Sequence, residues 1–165
     1  MRAIDVRDLL GHPGSADTVL VDEPLGGLHM ELADVPADSA IRGDLLLESV
    51  VEGILVTGSL SGEMTLRCAR CLVEFAQGFD VEVSELFGRQ PAEADDGYAL
   101  SPGGQLDPEQ MVRDAVLLEM PFSPLCRSDC KGLCERCGGD RNLGECTCTE
   151  PPADPRWAGL ERLFR

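Results

Sequence analysis

Residues 63–87 read EMTLRCARCLVEFAQGFDVEVSELF, and two patterns meet in them. Asp80, Glu82 and Glu85 alternate with Val81, Val83 and Leu86, the period of a strand with one face on a core and the other in water. Glu63–Arg67, rich in Leu and Thr, and Phe75–Leu86 both read as strands, and Cys68 and Cys71 fall between them where the chain must reverse. A CxxC on a turn between strands carries two thiolates to one point, which suits a metal knuckle. A redox CxxC would instead set its first thiol at a helix N-terminus.

Further β signals lie upstream. Ile41–Val51 and Gly53–Leu60 are rich in Val, Leu and Thr, with Gly53 as one break and a Ser61-Gly62 turn as the next. Leu28–Leu32 alternates as a short strand, and Val35–Ser39 is a loop around Pro36. At the start, Asp5–Leu10 reads as a short helix with Asp5 as cap and Gly11 as stop, followed by a turn at 12–16. Four or five consecutive strands with short connections predict an antiparallel meander curling toward a half-barrel.

Downstream, Gly88–Gln105 collects Pro91, Gly97, Pro102, Gly103 and Gly104 and reads as a long mobile loop. Asp107-Pro108-Glu109-Gln110 then starts a helix over about 107–120: an aspartate cap, proline at the first helical position and glutamine closing a capping box. Met111, Val112, Ala115, Val116, Leu118 and Met120 give it a broad apolar face toward the sheet, and Pro121 ends it. The expected fold is α+β: a small antiparallel meander or half-barrel with one packed helix (residues 1–123), a cysteine-rich zinc-binding segment (124–150) and a tail helix (151–165). In that tail Trp157, Leu160 and Phe164 share one face, to dock on the β-domain or to meet a partner.

The chain has 8 cysteines. Six of them, Cys126, Cys130, Cys134, Cys137, Cys146 and Cys148, crowd into CRSDCKGLCERCGGDRNLGECTC, with Gly132, Gly138, Gly139 and Gly144 among them where tight knuckles need unusual backbone angles. Together with Cys68 and Cys71 these thiols divide into two four-cysteine sites, predicting two structural zinc ions. A disulfide framework needs an oxidising compartment, and MRAIDVRDLLGHPG has no apolar signal core. Two partitions are open. Cys134, Cys137, Cys146 and Cys148 can close one site locally, leaving Cys68 and Cys71 to meet Cys126 and Cys130; this one is preferred. A zinc-ribbon pairing would instead join Cys68 and Cys71 to Cys134 and Cys137.

Charge narrows the function. With 30 acidic against 14 basic residues the net charge is −16, which repels bare phosphate backbones and attracts cationic partners. Eleven acids between Leu72 and Met120 face only Arg89 and Arg113, whereas Arg127, Lys131, Arg136 and Arg141 neutralise the cysteine segment. Beside thiolates such bases serve charge compensation and hydrogen bonding to sulfur, or else form a small RNA- or partner-facing patch. The only histidines, His12 and His29, lie far in sequence from every cysteine. There is no P-loop, GxGxxG, GxSxG or HExxH, and no run of about 18 apolar residues to span a membrane. The expectation is no enzyme and no small-molecule substrate.

CARCL at 68–72, LEMPFSPLC at 118–126, CKGLCERCG and NLGECTC through 148 and the closing DPRWAGLERLF together resemble the YceD family, the large ribosomal RNA subunit accumulation proteins, over roughly residues 40–165. The resemblance implies a small, non-enzymatic ribosome biogenesis factor of the cytoplasm that supports accumulation of large-subunit ribosomal RNA. The acidic balance fits contacts with a basic ribosomal or ribosome-assembly protein. A redox-responsive zinc chaperone and direct RNA binding are the alternatives, RNA contact being weak for the chain alone.

Overall fold

The computed structural model describes residues 1–88, 97–144 and 146–148. Its frame is a mostly antiparallel sheet of β2 (Ala16–Pro24), β5 (Ala40–Ser49), β6 (Gly53–Arg67) and β7 (Glu74–Gly88), paired in that order. A small hairpin, β3 (Leu28–His29) with β4 (Ala33–Val35), continues the β5 edge by pairing Ala33 and Asp34 with Leu66 and Thr65 of β6. β8 (Tyr98–Ala99) lies parallel to the end of β7, and β1 (Ile4–Asp5) pairs with β9 (Gln105–Leu106) as a separate ribbon. The one helix among the described residues, α1 (Glu109–Glu119), packs against β7.

β6 and β7 run in unbroken register from Gly53↔Gly88 to Arg67↔Glu74. Even-numbered residues of β6, Ile54, Val56, Leu60, Met64 and Leu66, face inward, opposite Ile41, Leu45 and Leu47 of β5 and Phe79, Val81, Val83 and Phe87 of β7. Met111, Val112, Val116 and Met120 of α1 close over them. Gly43 of β5 and Gly58 of β6 fall on the inward face where the backbones of these two paired strands approach closely. A Cβ on Gly43 would stand 2.0 Å from the Ser59 carbonyl oxygen, and one on Gly58 2.1 Å from that of Asp44. Removing both side chains lets the strands coil into a half-barrel.

The meander, the helix and their order agree with the sequence reading; several details do not. Ser61-Gly62 is no turn: β6 runs straight through it, and Gly62 lies under Phe79, whose Cζ would be 2.8 Å from an added Cβ. On β7 the fourth inward residue is Phe87, while Leu86 faces out at 39 % exposure. Asp5–Leu10 forms the short β1 and a single turn instead of a helix: the Asp5 carboxylate does accept from the Arg7 N–H at 3.1 Å, but Asp5 itself pairs with Gln105 of β9, and only the Leu9 and Leu10 N–H groups close back, onto the Val6 carbonyl. β2 escaped notice: only Val21 of it is buried, and Asp17, Asp22, Glu23 and Pro24 break the apolar period, so this edge strand owes its form to β5.

The Asp107 carboxylate does cap α1, accepting from the Glu109 N–H at 3.0 Å, but Gln110 does not close a box and donates to Asp114 at 2.8 Å instead. Leu118, expected on the core face, is 87 % exposed. Of the stretch 88–105 read as one loop, residues 97–105 are organised: β8 pairs with β7, Leu100 is buried, and Ser101–Gly104 turn into β9. Residues 89–96 and the tail helix at 151–165 lie outside the described residues.

Candidate metal centre

The loop of the long β6–β7 hairpin, 68–73, is the first half of a sulfur cluster. Its turn is closed by Cys68 N–H to Val73 C=O at 2.9 Å and Leu72 N–H to Cys68 C=O at 2.9 Å, with Leu72 itself in the left-handed region at φ 62°. The Ala69 N–H donates to the Pro124 carbonyl at 2.8 Å, which docks the segment leaving α1 against this loop. That docking delivers Cys126 and Cys130. The sulfurs of Cys68, Cys71, Cys126 and Cys130 all lie within 4.8 Å of one another, with Cys68 to Cys130 at 3.8 Å and Cys71 to Cys126 at 3.6 Å.

The second group is made locally. Cys134 N–H bonds Gly139 C=O and Gly138 N–H bonds Cys134 C=O, each at 2.8 Å, forming a knuckle around Cys134 and Cys137. Cys146 and Cys148 complete it, all four sulfurs again within 4.8 Å, Cys146 to Cys134 at 3.3 Å. This is the local partition and not the ribbon pairing. Sulfur–sulfur separations of 3.3 to 3.8 Å are far beyond a disulfide bond of about 2.05 Å. They match the edge, roughly 3.8 Å, of a tetrahedron of thiolates about 2.3 Å from a central ion. Either group can hold a metal ion.

The two groups differ in setting. Cys68, Cys71 and Cys130 are buried and pack with Leu125, Leu133 and Phe75, whereas Cys137, Cys146 and Cys148 are exposed. In both, one thiol is primed to ionise. Burial works against the Cys68 thiolate, yet the N–H groups of Cys126, Cys71 and Arg70 aimed at the sulfur bring its pKa down to about 6. N–H groups of Cys137 and Arg136 hold Cys134 at about 6 as well. Burial and then its neighbour Cys71 push Cys126 up to about 12; neighbouring Cys137 and then burial do the same to Cys148. A bound cation would reverse both of these upward shifts.

Asn142, which sequence reasoning passed over, joins the two groups. Its Nδ2 donates to Cys130 Sγ at 3.4 Å and to Asp140 Oδ1 at 2.6 Å, while its Oδ1 accepts from the Lys131 N–H at 2.8 Å and from Arg127 at 2.7 Å. The second knuckle thereby supplies the outer contact of the first group. Arg70 adds a bond to the Cys130 carbonyl at 2.9 Å. None of the bases Arg127, Lys131, Arg136 and Arg141 gives a side-chain hydrogen bond to sulfur among the described residues; Arg127 is held by Asp129 and Asn142. The donors to sulfur are backbone N–H groups and one amide, a role no motif marks. His29 lies on β3 beside Asp34, an exposed pair, and takes no part.

A model described as "Large ribosomal RNA subunit accumulation protein YceD" matches residues 56–164, a span holding the long hairpin, α1 and all 8 cysteines. The chain belongs to the YceD family. An uncharacterized protein of Mycobacterium tuberculosis is 36 % identical to this YceD chain over 170 residues, covering 98 % of it and 80 % of that protein. YlbN of Bacillus subtilis is 31 % identical over 110 residues, 65 % of this chain and 64 % of its own length. A chloroplastic protein of Arabidopsis thaliana, named large ribosomal RNA subunit accumulation protein YCED homolog 1, shares 34 % identity over 59 residues, 36 % of this chain and 18 % of that one. No solved structure matches the chain. The YceD family is implicated in accumulation of the large-subunit ribosomal RNA. No helix among the described residues is long and apolar enough to cross a membrane.

Proposed function

We propose that this YceD protein is a non-catalytic, zinc-binding factor in biogenesis of the large ribosomal subunit, working in the cytoplasm through contacts with a basic ribosomal or ribosome-assembly protein. The observation that carries the reading is the pair of four-sulfur groups, each with tetrahedral spacing, in a chain of this family. Four thiolates fill the coordination sphere of zinc and donate strongly to it, so such a site keeps neither an open position for water nor useful Lewis acidity. Cys68, Cys71, Cys126 and Cys130 would hold one ion, tying the β6–β7 loop to the end of α1. Cys134, Cys137, Cys146 and Cys148 would hold the other. Zinc in both is structural, fixing a segment too poor in apolar residues to fold alone.

The net charge of −16 supports a cationic protein as partner over bare RNA. The test is affinity capture from native lysate at two salt concentrations, with and without nuclease, together with metal analysis of protein purified without added zinc. The reading expects two zinc per chain and capture of basic ribosomal proteins that survives nuclease. Capture that disappears entirely with nuclease would replace it with RNA binding.

A further inference from the structure

A groove of about 310 Å³ runs between the outer edge of β7 and one stripe of α1. Consecutive β7 residues 80–85 form one wall, and the helix residues at 111, 114, 115, 118 and 119 form the other, spaced i, i+3, i+4, i+7 and i+8. Asp80, Glu82, Glu85, Asp114 and Glu119 all line it, and among the described residues no lysine or arginine does. Leu118, 87 % exposed, supplies an apolar patch. One end is fixed by Tyr98, stacked on Phe87 at 5.2 Å between ring centres and donating its hydroxyl to Asp114 at 2.9 Å.

The wall made by β7 is also a strand edge. β8 pairs with β7 only at Phe87 and Gly88, and the Gly88 carbonyl accepts from the Leu100 N–H at 2.9 Å, so Gly88 turns its backbone groups outward. Because the register with β6 is unbroken, the two-residue alternation turns those of Leu86, Ser84, Glu82 and Asp80 outward too. Nothing among the described residues pairs with them. An acidic edge repels a second copy of a chain at −16, which guards against self-pairing, and for the same reason it admits a strand of opposite charge.

We propose that this edge takes up an extended, basic polypeptide segment by strand addition, its cationic side chains over Asp80 and Glu82 and its alternate, apolar ones in the groove against Leu118. The inference rests on the protein-partner reading above and gives it a site. Edge hydrogen bonds supply affinity without sequence, and the charges and Leu118 select the side chains.

The probe is a fluorescein-labelled, end-blocked octapeptide of alternating lysine and valine, titrated into the full zinc-loaded chain at low salt. Two controls accompany it: the same peptide N-methylated on alternate amides, which keeps its charge but cannot pair, and the variant Glu82→Lys/Glu85→Lys/Glu119→Lys, three exposed positions checked for unchanged circular dichroism and zinc content. The proposal expects saturable binding, at least tenfold weaker for the methylated peptide and for the variant, with slowed amide exchange at Glu82, Ser84 and Leu86. Equal binding of the methylated peptide would reduce the effect to charge and overturn strand addition. Equal binding by the variant would place the peptide elsewhere. No binding, with those amides already protected, would assign the groove to other residues of this chain. A variant that loses the peptide but still captures ribosomal proteins from lysate would overturn the groove as the partner site while leaving the assembly reading intact.

Discussion

Cys134 and Cys148 lie in one sulfur group, but their surroundings treat them oppositely. N–H groups of Cys137 and Arg136 stabilise the Cys134 thiolate near pH 6, whereas Cys137 holds the Cys148 thiol protonated up to about 12. Exposure alone would favour Cys148, the more open of the two. After metal is stripped by a chelator, iodoacetamide at pH 7 should therefore alkylate Cys134 first and Cys148 late, because only the thiolate reacts. The Cys134 rate should fall as pH drops below about 6, where its thiol regains the proton; peptide mapping by mass spectrometry reads both. Asn142 is a second single-residue test. Asn142→Asp would turn an amide donor on Cys130 Sγ into a carboxylate facing a thiolate, and the expected loss in metal affinity is about 10–100-fold by chelator competition. Gly132 is a third: at φ +71°, with a Cβ placed 3.0 Å from the Arg70 carbonyl oxygen, Gly132→Ala should cost about 1–2 kcal/mol of unfolding free energy, read by denaturant titration.

Among the elements, legibility followed how local the cause was. β7 and α1 announce themselves because their own side chains alternate or stripe against a core, and the Asp107 cap is spelled out before the helix begins. β2 is silent because its partner β5 makes it a strand, and Ser61-Gly62 imitates a turn because the reason for Gly62, the Phe79 ring above it, lies 17 positions away. The division of the cysteines was half legible. Spacing alone gathers Cys134, Cys137, Cys146 and Cys148, but that Cys126 and Cys130 reach the hairpin loop depends on the Ala69 to Pro124 hydrogen bond. The two groups should consequently fail differently. Changing Cys146 and Cys148 to serine should remove one metal equivalent and leave the β-sheet circular dichroism intact, since those residues are exposed. Cys68→Ser puts an unpaired hydroxyl at a fully buried position and unties the hairpin from α1, so it should lower thermal stability of the whole sheet as well as metal content.

For the whole molecule the decisive quantity is charge and where it lies. Composition gives −16, but only the fold shows that Asp80, Glu82 and Glu85 of a strand edge meet Asp114 and Glu119 of a helix in one groove. Among the described residues several bases are paired locally: Arg127 with Asp129 and Asn142, Arg113 with Glu109, Arg67 with Glu74, Arg42 with Asp22. With 14 bases against 30 acids the chain has few cations with which to displace the counterions of RNA, and log K falls with log salt in proportion to the phosphates neutralised. Binding to naked large-subunit ribosomal RNA should therefore be weak at physiological salt and be carried by a short contact, giving a shallow salt slope. A basic partner protein should differ in strength and not in sign: tight association at low salt, weakening more steeply as its many cations are screened from the acidic face. Filter binding of transcribed ribosomal RNA across a salt series decides the first. Submicromolar affinity at physiological salt would mean that the bases of the cysteine segment form an RNA site after all, and that the acidic groove is not the surface through which the chain acts.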